Sequence, residues 1–188
     1  MPINPYINSC CFSVDGDGKK AVWELTNRCP LRCQHCCLGD KTGGEELNID
    51  EARQVVDKLK KIGVTQILFT GGEAVLLEYF FDLINYALVQ GFWTSLSTRG
   101  YFNEETVRRL AELDLKNINI GIDSLDSAKH NFFRRVPDAL EKALFTAMYL
   151  RDCGRSVTIN ITLSRLNVNE LDQMLKFCLV NNFKVNIS

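Results

Sequence analysis

Three cysteines lie close together near the start of the chain, in the pattern C-x₃-C-x₂-C. They are Cys29, Cys33 and Cys36. Three thiolates on one short loop can hold an iron–sulfur cluster, which normally takes four cysteine ligands. One iron would then stay open to a further ligand. Because open coordination positions are typical of catalytic metal sites, the spacing predicts a catalytic iron–sulfur centre.

Three further polar features each follow a predicted strand: Gly71-Gly72-Glu73, Thr98-Arg99-Gly100 and Asp123-Ser124. The carboxyl ends of parallel strands meet at one edge of a sheet or barrel, where ligands bind. We therefore expect these residues to share one rim with the cysteine loop. The glycine pair allows close backbone approach to a ligand and positive φ, and Glu73 can accept an ammonium group. The alternative is an ordinary turn with a solvated glutamate.

The cysteine motif, the upstream segment Glu24-Leu25-Thr26 and His35 together resemble the radical S-adenosylmethionine (radical SAM) enzymes. In that family the open iron of a [4Fe–4S] cluster chelates the amino and carboxylate groups of S-adenosylmethionine. The resemblance extends over residues 22–187. It implies a [4Fe–4S] cluster and S-adenosylmethionine as cofactors, with the three cysteines as the metal ligands.

The resemblance also implies which residues contact S-adenosylmethionine. It places Gly71-Gly72-Glu73 at the amino group and Thr98 against the cofactor. Asp123 and Ser124 are implied for the ribose. His35 is implied to present its ring face to the adenine or the cluster rather than to bind metal.

Arg134 is the implied partner of the cofactor's carboxylate, with a solvated side chain on an exposed turn as the alternative. His130 is expected on a loop, where a solvated histidine is the commoner outcome. The chain departs from the family at Gly121, where a serine is frequent, and at Arg99, which replaces an asparagine. Arg99 is therefore expected to serve the substrate.

The hydrophobic pattern predicts the elements that would hold this rim. An Asp-Gly turn between two short strands predicts a hairpin, and strand and helix patterns then alternate. Six such strands without further hairpins predict parallel pairing through crossovers. The predicted fold class is α/β, a partial (β/α)₆ TIM-like barrel. An N-terminal extension and hairpin is expected over 1–21, and the barrel over 22–188. The barrel is expected to stop after strand six. Strands are predicted at 22–26, 66–70, 93–97, 117–122, 157–163 and 184–187, and helices at 49–62, 76–90, 103–113, 138–153 and 169–181.

Composition limits the partners and the compartment. Lys and Arg number 22 against 23 Asp and Glu, so nothing favours nucleic acid or an anionic membrane. No apolar stretch approaches the roughly 20 residues that span a bilayer, and the N-terminus lacks the regions of a secretion signal. We expect a cytoplasmic protein. Eight cysteines without signs of export favour metal binding over a disulfide framework.

The resemblance implies an enzyme that cleaves S-adenosylmethionine reductively and removes hydrogen from a substrate. Its motif residues are most similar to those of members that modify peptides or proteins, and an electron donor such as flavodoxin or ferredoxin is implied. One alternative is a non-catalytic iron–sulfur protein for electron transfer or sensing, with a fourth ligand from Cys37 or Cys10. A structural zinc module is another. A truncated fragment of a larger radical SAM enzyme is a third interpretation.

Overall fold

The computed structural model describes residues 13–15, 18–36 and 45–188. In this part of the chain one seven-stranded sheet is flanked by six α-helices. The strands are β1 (Ser13–Asp15), β2 (Gly18–Glu24), β3 (Val64–Thr70), β4 (Trp93–Thr98), β5 (Asn117–Gly121), β6 (Val157–Ile161) and β7 (Lys184–Ile187). The helices are α1 (Ile49–Lys61), α2 (Phe80–Val89), α3 (Glu104–Glu112), α4 (Ser127–Arg134), α5 (Ala139–Asp152) and α6 (Leu171–Val180).

The strands lie in the sheet in the order in which they occur in the chain. β1 and β2 form an antiparallel hairpin, and the six strands from β2 to β7 are all parallel. Within the described residues β1 and β7 end the strand order, so the sheet is open rather than closed into a full barrel. The predicted partial barrel after a hairpin is confirmed.

The core lies between the parallel strands and the surrounding helices. The central strands read as apolar runs because both faces of a parallel sheet are covered. Phe69, Leu96, Ile118 and Ile120 are fully buried on three adjacent strands. None of the helices in the described ranges has the length and apolar character needed to cross a bilayer.

Helix α1 begins at a reciprocal cap. The side chain of Asn48 accepts hydrogen bonds from the backbone nitrogens of Asp50 and Glu51, each at 3.0 Å. Glu51 returns a bond by accepting from the nitrogen of Asn48 at 2.9 Å. Such a capping box satisfies donors that a helix start otherwise leaves unpaired. Asn48 is thus the N-terminal cap of helix α1.

Helix α4 differs from the sequence prediction, which placed a loop after the fourth barrel strand. Asp126 caps it by accepting from the nitrogens of Ala128 and Lys129, at 2.8 and 3.2 Å. It ends at Arg135, which adopts a left-handed conformation with φ of 58°. The helix turns His130 and Arg134 inward, so that each is only 1% exposed. The expectation of a solvated His130, and the alternative of a solvated Arg134, are therefore wrong.

Candidate functional site

The cysteine loop follows β2 and lines a cleft at the carboxyl edge of the sheet. Cys29 and Cys33 are half-buried, whereas Cys36 is exposed. Cys10, Cys11 and Cys37 lie outside the described residues. The cleft is lined by Glu24, Cys29, Leu31, Cys33, His35, Cys36, Thr70, Gly71, Gly72, Arg99 and Arg134. The residues that follow strands β2, β3 and β4 thus meet at one rim, as the sequence predicts.

The glycine pair packs directly against the cysteine loop. The nitrogen of Gly72 donates to the carbonyl of Thr26 at 2.7 Å, and the nitrogen of Glu73 donates to that of Arg28 at 2.8 Å. A Cβ added to Gly72 would overlap the Arg28 carbonyl and lie 2.8 Å from the carbonyl oxygen of Asn27. The close approach that requires glycine here is therefore between two backbone segments. The predicted approach of the glycine pair to a ligand stays a prediction.

Helix α4 holds the other side of the same loop. The backbone nitrogen of Gln34 donates to the carbonyl of Phe133 at 2.9 Å. The backbone nitrogen of Arg32 donates to the carbonyl of Arg134 at 3.4 Å. The Gln34 side chain reaches the carbonyl of Phe132 at 3.1 Å. These carbonyls belong to the last turn of the helix, where no intrahelical donor remains for them. The cysteine loop thus completes the end of α4.

A third contact comes from Glu46, which the sequence analysis did not identify. Its carboxylate forms a two-pronged ion pair with Arg28, with distances of 2.9 and 2.7 Å. It also accepts a short hydrogen bond from the hydroxyl of Thr26. Glu46 therefore clamps the entry to the cysteine loop. No local sequence pattern predicts this contact, because Glu46 is far from Thr26 and Arg28 in the sequence.

Glu73 is only 1% exposed and lies behind the cleft wall. Its Oε2 accepts from the Thr98 hydroxyl at 2.7 Å and from the backbone nitrogen of Arg99 at 3.1 Å. Its Oε1 has no hydrogen-bond partner within the described residues. Burial raises the pKa of the Glu73 carboxyl, against the lowering effect of its hydrogen bonds and of the Arg99 charge. The alternative of a solvated glutamate on an ordinary turn is wrong.

Arg134 joins the cysteine loop to β5. Its Nη2 lies 2.7 Å from Oδ2 of Asp123 and donates to the carbonyl of Gly121 at 3.1 Å. Its Nη1 lies 3.5 Å from the sulfur of Cys33 and 3.3 Å from Nε2 of His35. One buried guanidinium therefore contacts an acid, a loop cysteine and the histidine that the sequence analysis placed near the cofactor.

His35 packs its ring edge-to-face with Phe133, with centroids 5.9 Å apart. Burial lowers the pKa of His35, and the positive charge of Arg134 adds to the effect. The imidazole is therefore held neutral, with Nε2 facing the Arg134 donor. This environment suits a role for His35 as an uncharged aromatic ring at the cleft.

Asp123 and Ser124 lie deeper than the cleft lining. Asp123 accepts at Oδ1 from the backbone nitrogen of Thr162 at 2.9 Å. Ser124 donates to Glu170 at 2.5 Å and is completely buried. The nitrogen of Asp123 donates to Nδ1 of His130 at 3.2 Å, and burial lowers the pKa of His130 to about 4. The structure thus places these predicted ribose contacts in a hydrogen-bond network behind Arg134.

The three thiols fit an iron–sulfur cluster by their surroundings. Burial raises the pKa of Cys29, which opposes a free thiolate, and a guanidinium nitrogen of Arg134 lies 3.5 Å from the sulfur of Cys33. In residues 13–15, 18–36 and 45–188, no three His, Cys, Asp or Glu side chains converge tightly enough to hold one metal ion. A cluster does not need such convergence, because each thiolate binds a different iron atom.

Comparison with known proteins agrees with the family resemblance that the sequence motifs indicate. The sequence profile described as the radical SAM superfamily matches residues 23–178. The AdoMet-dependent heme synthase of Nitratidesulfovibrio vulgaris is 32% identical over 163 residues, covering 85% of this chain and 44% of that protein. The PqqA peptide cyclase of Rhodopseudomonas palustris is 30% identical over 160 residues, covering 84% of this chain and 42% of that protein. The chain thus spans less than half the length of these curated relatives.

A solved structure shows the same fold. SuiB of Streptococcus suis, bound to S-adenosylmethionine, superposes with a TM-score of 0.80 at 18% identity, covering 88% of this chain and 39% of that one. SuiB bound to its precursor peptide SuiA gives the same TM-score. At this identity the likeness concerns the architecture of the sheet and its helices.

Proposed function

Because this chain belongs to the radical SAM superfamily, we propose that it is an enzyme that cleaves S-adenosylmethionine at a [4Fe–4S] cluster held by Cys29, Cys33 and Cys36. When bound, the cluster would supply the electron that splits S-adenosylmethionine into methionine and a 5′-deoxyadenosyl radical, which removes hydrogen from the substrate. The observation that carries the proposal is the cysteine loop itself, which lines one cleft with Gly71, Gly72 and Arg134.

The residues around the loop supply position and charge. The backbone bonds from Gly72 and Glu73 and those to the end of α4 fix the loop from two sides. Arg134 donates toward Cys33, and a hydrogen bond from a cation to a thiolate is stronger than a neutral one. Together these contacts hold the loop in place.

The contacts to S-adenosylmethionine are also part of the proposal. Glu73 Oε1, which has no partner among the described residues, is suited to the cofactor's amino group. Its Oε2 is held by Thr98, which fixes the carboxylate. We propose Arg134 for the cofactor's carboxylate and His35 for its adenine. Asp123 and Ser124 stay predicted ribose contacts, and their burial supports a second role in holding Arg134 and α4.

The proposed substrate is a peptide, and the proposed electron donor is flavodoxin or ferredoxin in the cytoplasm. Support for the peptide comes from the motif residues, from the relative named PqqA peptide cyclase and from the structure of SuiB with its precursor peptide.

Replacing each cysteine by alanine tests the cluster assignment. We expect loss of bound iron and sulfide after anaerobic reconstitution for Cys29→Ala, Cys33→Ala and Cys36→Ala. Cys153→Ala is the matched control, because Cys153 is exposed and outside the cleft. If Cys37→Ala loses the cluster as fully as Cys33→Ala, the four-ligand electron-transfer interpretation replaces the proposal.

Hydrogen removal from peptides is tested by isotope transfer. The reduced protein is incubated with S-adenosylmethionine and peptides extracted from cells grown in D₂O. Deuterium in the 5′-deoxyadenosine, measured by mass spectrometry, identifies a peptide as the hydrogen donor. Undeuterated 5′-deoxyadenosine with every peptide fraction would exclude the peptide class while leaving the cleavage of S-adenosylmethionine intact.

A further inference from the structure

A second cavity lies at the opposite edge of the sheet from the cysteine cleft, where β6 and β7 begin. Its volume is about 360 Å³, which is in the range of pockets that bind small molecules. No acidic side chain of the described residues lines it, and it shares no lining residue with the cleft. The side chains that matter for binding are those of Arg151, Arg155, Ser156, Asn182, Phe183 and Lys184.

Arg155 is the half-buried cation of this cavity. Its backbone nitrogen donates to the carbonyl of Leu150 at 2.9 Å, and its Nε donates to the carbonyl of Ala111 at 2.7 Å. Within the described ranges its two terminal nitrogens form no hydrogen bond and no ion pair. The side chain is therefore fixed at its root and at Nε, while the outer ends of the guanidinium can donate to a ligand.

Lys184 is held at the same cavity by a chain of hydrogen bonds. Its Nζ donates to Oγ of Ser156 at 2.9 Å, and that hydroxyl donates to Oδ1 of Asn117 at 3.0 Å. An ammonium group carries three N–H donors, so two of them are left for a ligand. Lys184 forms no ion pair with a carboxylate in the described part of the chain.

Two acids near the cavity are paired with other cations. Asp152 accepts from Nε and Nη2 of Arg151 at 2.9 and 2.6 Å, so this arginine of the lining already has a carboxylate. Asp114 lies 2.6 Å from Nζ of Lys116. The pKa of Asp114 is lowered, chiefly by the hydrogen bond from Lys116 and to a smaller degree by the charge of Arg155. These acids therefore reduce the positive charge around the cavity, but neither occupies its free donors.

The third acid nearby is Glu112, which follows Ala111 on α3. It is exposed and forms no ion pair with Arg155, both residues being among those described. The cavity therefore presents hydrogen-bond donors of Arg155, Lys184 and the Asn182 amide, with no carboxylate among them.

We propose that this cavity binds a phosphate group, held by Arg155 and Lys184 with the Asn182 amide as a third donor. A phosphate has oxygens on several sides and can accept from all three, whereas a carboxylate offers two oxygens in one plane. The guanidinium binds phosphate through two parallel hydrogen bonds, and the ammonium adds a point charge. The group belongs to inorganic phosphate or to a phosphate monoester, whose organic part would meet the buried Phe183.

The test uses the chain with its cluster reconstituted under nitrogen and titration calorimetry with inorganic phosphate, phenyl phosphate and glutarate. The variants are Arg155→Gln, Arg155→Lys and Lys184→Gln. The last of these removes an exposed side chain and so leaves the core intact. Arg108→Gln is the control, because Arg108 is exposed on α3, pairs with Glu104 at 3.0 Å and does not line the cavity. Circular dichroism verifies that each variant is folded.

Arg155→Gln and Lys184→Gln should each weaken the binding of phosphate about tenfold or more, since each removes a charge-assisted hydrogen bond. Arg155→Lys should lose less, because it keeps the charge and loses only the paired donors. Arg108→Gln should bind as the wild type does. Tighter binding of phenyl phosphate than of inorganic phosphate assigns the group to an ester, and equal or weaker binding assigns it to the free ion.

Three results would overturn the phosphate site. The first is a wild-type protein that binds neither phosphate probe at concentrations up to about 10 mM. The second is an unchanged phosphate affinity in either Arg155→Gln or Lys184→Gln, because the two residues would then not share the ligand. The third is glutarate binding as tightly as phosphate, which would remove the distinction between the two anions. None of these results bears on the cleavage of S-adenosylmethionine, which concerns the other edge of the sheet.

Discussion

Replacing Asp123 by asparagine removes the acid from the most deeply buried ion pair in the described part of the chain. The two side chains are 2% and 1% exposed, and Nη2 of Arg134 lies 2.7 Å from Oδ2 of Asp123. Asparagine keeps the shape and can still accept from the nitrogen of Thr162, a bond of 2.9 Å in the wild type. It presents no charge to Arg134, whose guanidinium would stay buried without its counter-ion.

The expected loss of folding stability in Asp123→Asn follows from that burial. Removing one partner of a buried ion pair costs about 3–5 kcal/mol, because the remaining charge is desolvated without compensation. Arg134 keeps its bond to the Gly121 carbonyl, so we expect the lower end, about 3 kcal/mol. An exposed pair of the same kind contributes at most about 0.5 kcal/mol. Glu104 and Arg108, which are 68% and 63% exposed at 3.0 Å, provide that comparison.

Urea unfolding of the cluster-free protein near pH 7, followed by circular dichroism, measures both effects. Asp123→Asn should lower the free energy of unfolding by about 3 kcal/mol, and Glu104→Gln by about 0.5 kcal/mol or less. Equal effects of the two variants would refute the reasoning, since the burial of the Asp123 pair would then carry no energetic consequence.

Three further variants test other parts of the site. Gly72→Ala should prevent cluster incorporation, measured as bound iron, because its Cβ would overlap the carbonyl of Arg28. Glu73→Gln should weaken S-adenosylmethionine about ten- to hundredfold in anaerobic calorimetry with cluster absorbance unchanged, because a neutral amide attracts an ammonium less. The third concerns His130, whose pKa is lowered from 6.5 to about 4 by burial. Stability should fall by about 3 kcal/mol as pH drops from 6.5 toward 4, since only the unfolded chain binds the proton there. His130→Asn should flatten that dependence.

The controls for these variants are equally specific. Gly154→Ala is matched to Gly72→Ala, because no atom lies within 4 Å of the Cβ it would add, although its φ of +75° costs some stability. Normal iron content in Gly72→Ala would contradict the backbone contact. An unchanged dissociation constant in Glu73→Gln would leave Glu73 with a structural role only. A pH profile that His130→Asn leaves unaltered would show that other groups cause the loss.

The sequence predicted the parts of this molecule that depend on local patterns. Apolar runs such as that at 66–70 predict buried parallel strands, because both faces of the sheet are covered. The cysteine spacing is likewise local, as all three residues lie on one loop. The glycine pair lines the cleft at the rim that the sequence predicted, and it also packs against Asn27 and Arg28, a contact that the sequence did not predict. That contact joins two segments that no local pattern connects.

Helix α4 could not be predicted for a related physical reason. Its buried face carries His130, Phe133 and Arg134, so two of the three inward residues are polar. Hydrophobic periodicity identifies a helix by its apolar stripe, and here that stripe is broken. The polar residues are stabilised by a partner on another segment, Asp123. Their burial depends on the folded arrangement.

The most direct test of the central claim is the formation of 5′-deoxyadenosine. The reconstituted wild-type protein is reduced with dithionite under nitrogen, mixed with S-adenosylmethionine and analysed by liquid chromatography with mass spectrometry. We predict 5′-deoxyadenosine and methionine in equal amounts, dependent on both the reductant and Cys33. A protein that holds its full complement of iron and sulfide, binds S-adenosylmethionine and still forms no 5′-deoxyadenosine would contradict the account.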